Sequence, residues 1–279
     1  MSQVINTNIL SLVAQTNLNT TQSKEQTAVQ QLSSGLRINS AKDDPAGLAI
    51  SQRMQAQVNG MNQAVRNSND AVSMSQTADG ALGSVSTMLQ QMRTLAVQAS
   101  NGTNGTGDLQ NLDAEYQALG SEIQRELANT QFNGTTILGA GAGTVTYQVG
   151  ANASDTIQVV TTNLTGTNST SISGATSGAL STAASASAAI SAIDTALTAV
   201  NAQRANYGAN EIRFQQVVST LQINSQNTAA AESQIMDTDY AAATSALTQA
   251  QIVQQAGTAM LSQANSMPQS VLSLLKNFG

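Results

Sequence analysis

Apolar residues in this chain recur at alternating steps of three and four, and the longest such run organises the rest. It opens with Met54, Val58, Met61, Val65 and Val72, slips slightly near Met74, and resumes with Ala78, Leu82, Val85, Leu89, Met92, Ala96 and Ala99. This is the 3.5-residue repeat of a coiled-coil seam. At 1.5 Å per residue it predicts a helix roughly 65–70 Å long. A stripe of that length needs partner helices of similar length to cover it.

Three further stripes supply partners. Leu109, Leu112, Tyr116, Leu119, Ile123 and Leu127 predict a helix capped by Asp108 and ended by Asn133-Gly134. The turn-forming run Asn101-Gly-Thr-Asn-Gly-Thr-Gly107 folds it back on the first. From Ile190 the heptad returns at Ile193, Leu197, Val200, Tyr207, Phe214, Val218 and Leu221, with Arg204 and Glu211 in two seam positions. After Asp237-Thr-Asp-Tyr240 comes a last seam, Ala250, Val253, Gly257, Met260, Ala264, Met267, Val271 and Leu274, in which Pro268 is expected to bend or loosen the helix.

The N-terminal pattern is thinner. Ile5, Ile9 and Leu12 are followed by a polar middle and then by Val29, Leu32 and Leu36, with Gly35 interrupting. So few apolar contacts predict a helix that is marginal alone and orders against a partner. Asp43 or Asp44 ahead of Pro45 reads as the N-cap that opens the long helix. Between the helical stretches, Val145, Tyr147 and Val149 alternate with polar residues, as do Ile157 and Val159, predicting two strands around Gly150–Asp155. Gly139-Ala-Gly-Ala-Gly143 leads into a strand, not from a strand into a helix, and so reads as a linker and not as a phosphate loop. Residues 161–188, rich in Thr, Ser, Gly, Ala and Asn, read as a surface segment without a core of its own. The fold class is mainly α: long antiparallel coiled-coil-like rods with a small β-hairpin region in the central domain. A pair of terminal helices leaves an apolar flank on each uncovered, which copies of the same chain would cover.

Composition narrows the chemistry. Of 279 residues 41% are hydrophobic, but only 3% are aromatic and 9% charged, so amides and hydroxyls cover much of the surface. Such a surface repels its own copies weakly. The net charge of −6, with ten scattered basic residues, offers no nucleic-acid patch. No apolar run approaches the roughly 20 residues of a membrane span. No basic residue precedes Lys24, so a cleaved secretory signal is not expected. The absence of Cys and His removes disulfides, thiolate sites and the commonest general base. No cofactor and no catalytic or metal-binding residues are expected, and the reading is a structural protein.

Several stretches resemble bacterial flagellin. They are Gln30-Gln-Leu-Ser-Ser-Gly-Leu-Arg-Ile-Asn-Ser-Ala-Lys-Asp-Asp-Pro-Ala-Gly-Leu-Ala-Ile-Ser51, Arg66-Asn-Ser-Asn-Asp70, Leu95-Ala-Val-Gln-Ala-Ser-Asn101 and Gln131-Phe-Asn-Gly134. Tyr147-Gln-Val-Gly-Ala-Asn152, Gln251-Ile-Val-Gln-Gln-Ala-Gly257 and Pro268-Gln-Ser-Val-Leu-Ser-Leu-Leu275 join them. Only about 161–188 falls outside the likeness.

The resemblance implies a flagellar filament subunit, exported unfolded by the flagellar type III apparatus and located outside the cell. It implies an inner core domain made of residues 1–44 and 236–279. It also implies a central helical and β domain over 45–235, with 161–188 as its short variable segment. The self-assembly core is then expected at Ile5, Ile9, Leu12, Leu32, Leu36, Val253, Gly257, Met260, Ala264, Met267, Val271 and Leu274. Implied partners are other flagellin copies, the flagellar cap, junction proteins, an export chaperone and host innate immune receptors. The Toll-like receptor surface matches Leu89–Gln98, including Gln91, Arg93 and Leu95, together with Glu115. Gln91 stands where strongly recognised members carry Arg, which weakens the expected recognition. A plant receptor epitope matches Gln30–Ser51, with Pro45 where Ala is usual. A hook–filament junction protein and a secreted adhesin are the alternative readings.

Overall fold

The computed structural model describes residues 7–165 and 172–276, with side chains described as far as Pro268. Its elements are α1 (Ile9–Ser34), α2 (Pro45–Ala99), α3 (Thr106–Asn129), β1 (Gln131–Phe132), β2 (Thr135–Thr136), β3 (Thr144–Gln148), β4 (Thr156–Val160), α4 (Ile172–Thr176), α5 (Ala183–Met236) and α6 (Tyr240–Lys276). Contacts divide the chain into one unit of Met1–Ala56 with Asn227–Gly279 and another of Gln57–Gln226, so the boundary runs inside α2 and α5.

Within Gln57–Gln226, α2 and α5 run antiparallel. Asn62 meets Ser225, Gln76 meets Glu211, Asp79 meets Arg204 and Arg93 meets Asp194, the second number falling as the first rises. The two charged residues placed in the α5 seam thus face α2 through polar partners: Arg204 Nε lies 2.8 Å from Asp79 and Gln76 donates to Glu211 at 2.8 Å. Between those polar contacts the stripe of Ile193, Val200, Tyr207, Phe214 and Leu221 is buried at every seventh position. Among the described residues α5 is the one helix long and apolar enough to cross a membrane by length and composition. That stripe of its apolar side chains is spent on the protein core.

The α2 seam holds from Ala78 to Ala99, where every named residue is buried. The slip near Met74 is not a break. The buried line continues through Ala64, Ser68, Ala71 and Ser75, small residues that a hydrophobic count passes over. The hydroxyls of Ser68 and Ser75 donate to the carbonyls of Ala64 and Ala71, so neither is left unpaired. The same fold-back of a hydroxyl onto the carbonyl four residues earlier recurs at Thr16, Thr20, Thr87, Thr94, Thr195, Thr220 and Thr248.

Three readings of local chemistry are corrected. Asn133-Gly134 does not end α3, which stops at Asn129. It forms the two-residue turn of the β1–β2 hairpin, with φ of 48° and 79°. Asp108 does cap α3, but from inside its first turn and not from the N-cap position, its carboxylate accepting from the Gly105 N–H at 3.0 Å. Gly35 does not interrupt a helix; it ends α1 in the left-handed conformation, φ 74°, with its N–H on the Gln31 carbonyl. The strand expectation holds, β3 and β4 pairing antiparallel with Val145 opposite Val159 and Tyr147 opposite Ile157.

The segment after β4 is less superficial than its composition suggests. Leu164, Ile172, Ala175 and Leu180 are buried in the core of this unit. A row of α3 side chains holds the stretch by its backbone. Tyr116 donates to the Ala175 carbonyl and Gln117 to that of Gly178, while Asp113 accepts from the Leu180 N–H at 2.7 Å. Gly120 makes the approach possible, since a Cβ there would lie 2.8 Å from the Thr176 carbonyl oxygen. Gly120→Ala should therefore displace α4 and destabilise the unit by about 1–3 kcal/mol. Unchanged thermal unfolding of that variant would refute the contact.

Burial also sets a pH limit. Tyr207 is buried and, among the described residues, its hydroxyl finds no hydrogen-bond partner. Burial pushes its pKa from 10.0 up to about 12. Burial, and then the Asp113 carboxylate, pushes that of Tyr116 to about 12. A raised phenol pKa stabilises the fold fully below the ordinary tyrosine range and loses that stabilisation as pH rises through the folded value. The unit should lose stability between pH 10.0 and about 12. Equilibrium unfolding against pH checks this, and Tyr207→Phe should flatten the slope.

Candidate assembly surface

The terminal unit is built on a pairing of α1 with α6. At its base Leu36 bridges Asp237 in antiparallel fashion, the Arg37 N–H donates to the Met236 carbonyl at 2.6 Å, and the Thr238 N–H donates to the Gly35 carbonyl at 3.0 Å. The Arg37 guanidinium also reaches the Ile235 carbonyl, an acceptor left open at the end of α5. Asp44 opens α2 as expected, its Oδ1 accepting from the N–H groups of Ala46 and Gly47. The neighbouring Asp43 accepts from Ser40 and Asn39, and the Ser40 hydroxyl foremost holds its carboxyl below the usual range. Asp239 caps α6 through the N–H groups of Ala241 and Ala242.

Which residues face inward in this pair is decided by size. On α6 the buried positions are Ala243, Ala250 and Ala264, with Gly257 half-buried, one small residue per heptad. On α1 they are Ser11, Thr21 and Ala28. Leu18 lies over Gly257, where a Cβ would sit 2.9 Å from its Cδ2. The large apolar residues point elsewhere. Ile9 is 63% exposed, Leu12 60%, Val253 45%, Met260 64% and Met267 51%.

The sequence seam of α6 is therefore two lines: a small one turned to α1, and a large one turned to solvent. Leu32 and Leu36 are half-buried. Ile5 lies outside the described residues, as do the side chains of Val271 and Leu274, although α6 includes both positions. An open apolar groove of about 470 Å³ runs along the pair, lined by Leu10, Val13, Leu18, Val253, Met260 and Met267 among others. Among the described residues it carries no carboxylate, ammonium or guanidinium group. Among the described residues no three acidic side chains gather as a metal site requires.

The receptor-related positions lie in the other unit. Gln91 and Glu115 are exposed and Leu95 is half-buried. Arg93 Nε sits 2.7 Å from Asp194, and that hydrogen bond lowers the Asp194 pKa. Leu89, Met92 and Ala96 of the same stretch are buried within the chain and unavailable to any partner.

Two family models match the chain. The bacterial flagellin N-terminal helical region covers residues 5–146, and the C-terminal helical region covers 190–275. The flagellin of Halalkalibacterium halodurans is 43% identical over 274 residues, spanning 98% of this chain and 100% of that relative. The flagellin of Serratia marcescens is 38% identical, spanning 99% and 100%. A crystal structure of Bacillus cereus flagellin aligns with a TM-score of 0.51 at 34% identity, over 60% of this chain and 94% of that one. A putative flagellar hook-associated protein from Vibrio parahaemolyticus aligns with a TM-score of 0.58 over 70% of this chain and 100% of that one. Its 15% identity makes it a likeness of fold alone. Matched by both family models and by full-length relatives, the chain belongs to the bacterial flagellin family.

Proposed function

We propose that the outward faces of α1 and α6 are the surfaces through which copies of this flagellin stack into a filament. As a flagellin the protein is a structural subunit of the flagellar filament, not an enzyme, and it polymerises with its own kind outside the cell. Full-length flagellin relatives leave the junction-protein and adhesin readings disfavoured.

The observation that carries the proposal is the outward line Val253, Met260 and Met267 beside Leu10 and Val13, with Ile9 and Leu12 of α1 exposed as well. A run of exposed apolar residues along one helix pair marks an interaction surface. The inward line, made of small residues, buries little area, so in the monomer the pair is thinly held. Ordering entropy is then offset when copies bury the large residues between them. In this reading residues 1–44 and 236–279 act together as the inner assembly domain and 45–235 as the outer one.

The reading extends to accessory partners: the flagellar cap, junction proteins and an export chaperone, each meeting the same apolar termini. A host receptor would meet Gln91, Arg93, Leu95 and Glu115, weakly, because Gln91 offers no cation and Arg93 is already engaged by Asp194.

Purified monomer incubated with short filament seeds tests the central claim by electron microscopy and circular dichroism. Long filaments with a rise in helicity are expected. Monomers that never elongate a seed would overturn it.

A further inference from the structure

We infer that Asn8 and Pro268 together form a lock that fixes the axial register of α1 against α6. Asn8 uses both ends of its amide. Its Oδ1 accepts from the Ser11 N–H at 3.1 Å and so caps α1. Its Nδ2 donates to the Ala264 carbonyl at 2.8 Å, across to α6. That carbonyl has a particular reason to need a donor. In an α-helix it would accept from the N–H four residues on, and that residue is Pro268, which has none. The proline ring also pushes against that carbonyl, turning it out of the helical ladder. The orphaned acceptor and the free amide donor meet.

Packing along the inward line selects this register only weakly. The inward line of α6 repeats a small residue every seventh position, at Ala243, Ala250, Gly257 and Ala264. A slip of one heptad, about 10.5 Å, still sets a small residue at three of those four places, the fourth falling to Val271 or to the residues before α6. Under Leu18 it exchanges Gly257 for an alanine, a clash with the flexible end of one side chain. The hydrogen bond is less forgiving. One heptad away Asn8 would face the carbonyl of Gly257 or of Val271, whose helical donors are the N–H groups of Leu261 and Leu275. Both those acceptors already hold a helical donor, so a bond from Asn8 there would be a second one and would relieve no orphan. Pro268 is the only proline in α6, so the free carbonyl exists at one height. The base of the pair is pinned by the Leu36–Asp237 bridge, and the Asn8 lock pins the far end.

A double-mutant cycle on the full-length protein in seeded filaments, where the α1–α6 pair is ordered, tests this by hydrogen exchange. Asn8→Ser keeps an N-cap acceptor but withdraws the donor from Ala264. Pro268→Ala restores the helical N–H to the same carbonyl. In the native background Asn8→Ser should speed exchange of the amides in the first turn of α1 and around Ala264 by about fivefold, the worth of one neutral hydrogen bond. In the Pro268→Ala background the same substitution should change those rates less than twofold. Equal acceleration in both backgrounds would mean that Asn8 acts only as a cap, and no acceleration in either would mean that the bond carries no weight. Either result overturns the lock.

Discussion

Met260→Asp should leave the monomer folded and abolish filament growth. Met260 is 64% exposed and lies on the outward line of α6, so a carboxylate there is hydrated in the single chain and costs the monomer little. On assembly the same carboxylate would be buried against apolar residues with no partner cation. An unpaired buried charge costs several kcal/mol. Each 1.4 kcal/mol is a tenfold change in affinity, so the concentration needed for polymerisation should rise by at least a hundredfold. Val253→Asp, one heptad earlier, should behave alike. Sedimentation of seeded reactions gives the polymerised fraction, and circular dichroism of the monomer gives the control. Normal filaments from Met260→Asp would show that the outward line does not meet another copy.

Phe214→Ala has the opposite signature: a damaged monomer and an unaltered surface. Phe214 is fully buried on α5, and the Tyr147 ring stands edge-on to it with centroids 5.7 Å apart and planes at 75°. The Tyr147 hydroxyl in turn donates to the Met74 sulfur at 3.0 Å, so one ring ties α5 and the β3–β4 hairpin to α2. Emptying that position should cost about 3–5 kcal/mol. For a unit of this size that corresponds to a fall in melting temperature of roughly 10 °C. Calorimetry of the monomer would show it. A fall of only one or two degrees would mean that the surrounding side chains collapse into the space.

The helices were legible because a heptad pattern needs no tertiary knowledge. Ile193, Val200, Tyr207, Phe214 and Leu221 are spaced as they pack, and β3 and β4 alternate as they pair. What escaped were positions whose role depends on being small or on the other half of a contact. Ser68 and Ser75 carry the α2 seam but score as polar. Gly120 matters because of a carbonyl 56 residues later, at Thr176. On α6 the alternation of three and four located the seam but not its two faces. Ala250 and Val253 fit the pattern equally well, and only the partner helix tells which one is covered. Asn8 lay outside every apolar pattern, and its meaning rests on a proline 260 residues away.

The hydroxyls folded back along the helices change what it costs to dry this protein's surface. A serine or threonine whose only donor is satisfied by its own helix asks nothing of the solvent as a donor. Thr16 and Thr20 on α1 and Thr244 and Thr248 on α6 are of this kind, and all four are exposed. Covering such residues with another chain leaves no orphaned O–H behind, so no geometric match is demanded at those points. In a chain with only 9% charged residues, self-satisfied hydroxyls keep the surface hydrated when wet and inexpensive to bury when dry. A subunit that is first a free chain and then walled in by copies of itself needs both properties on the same residues.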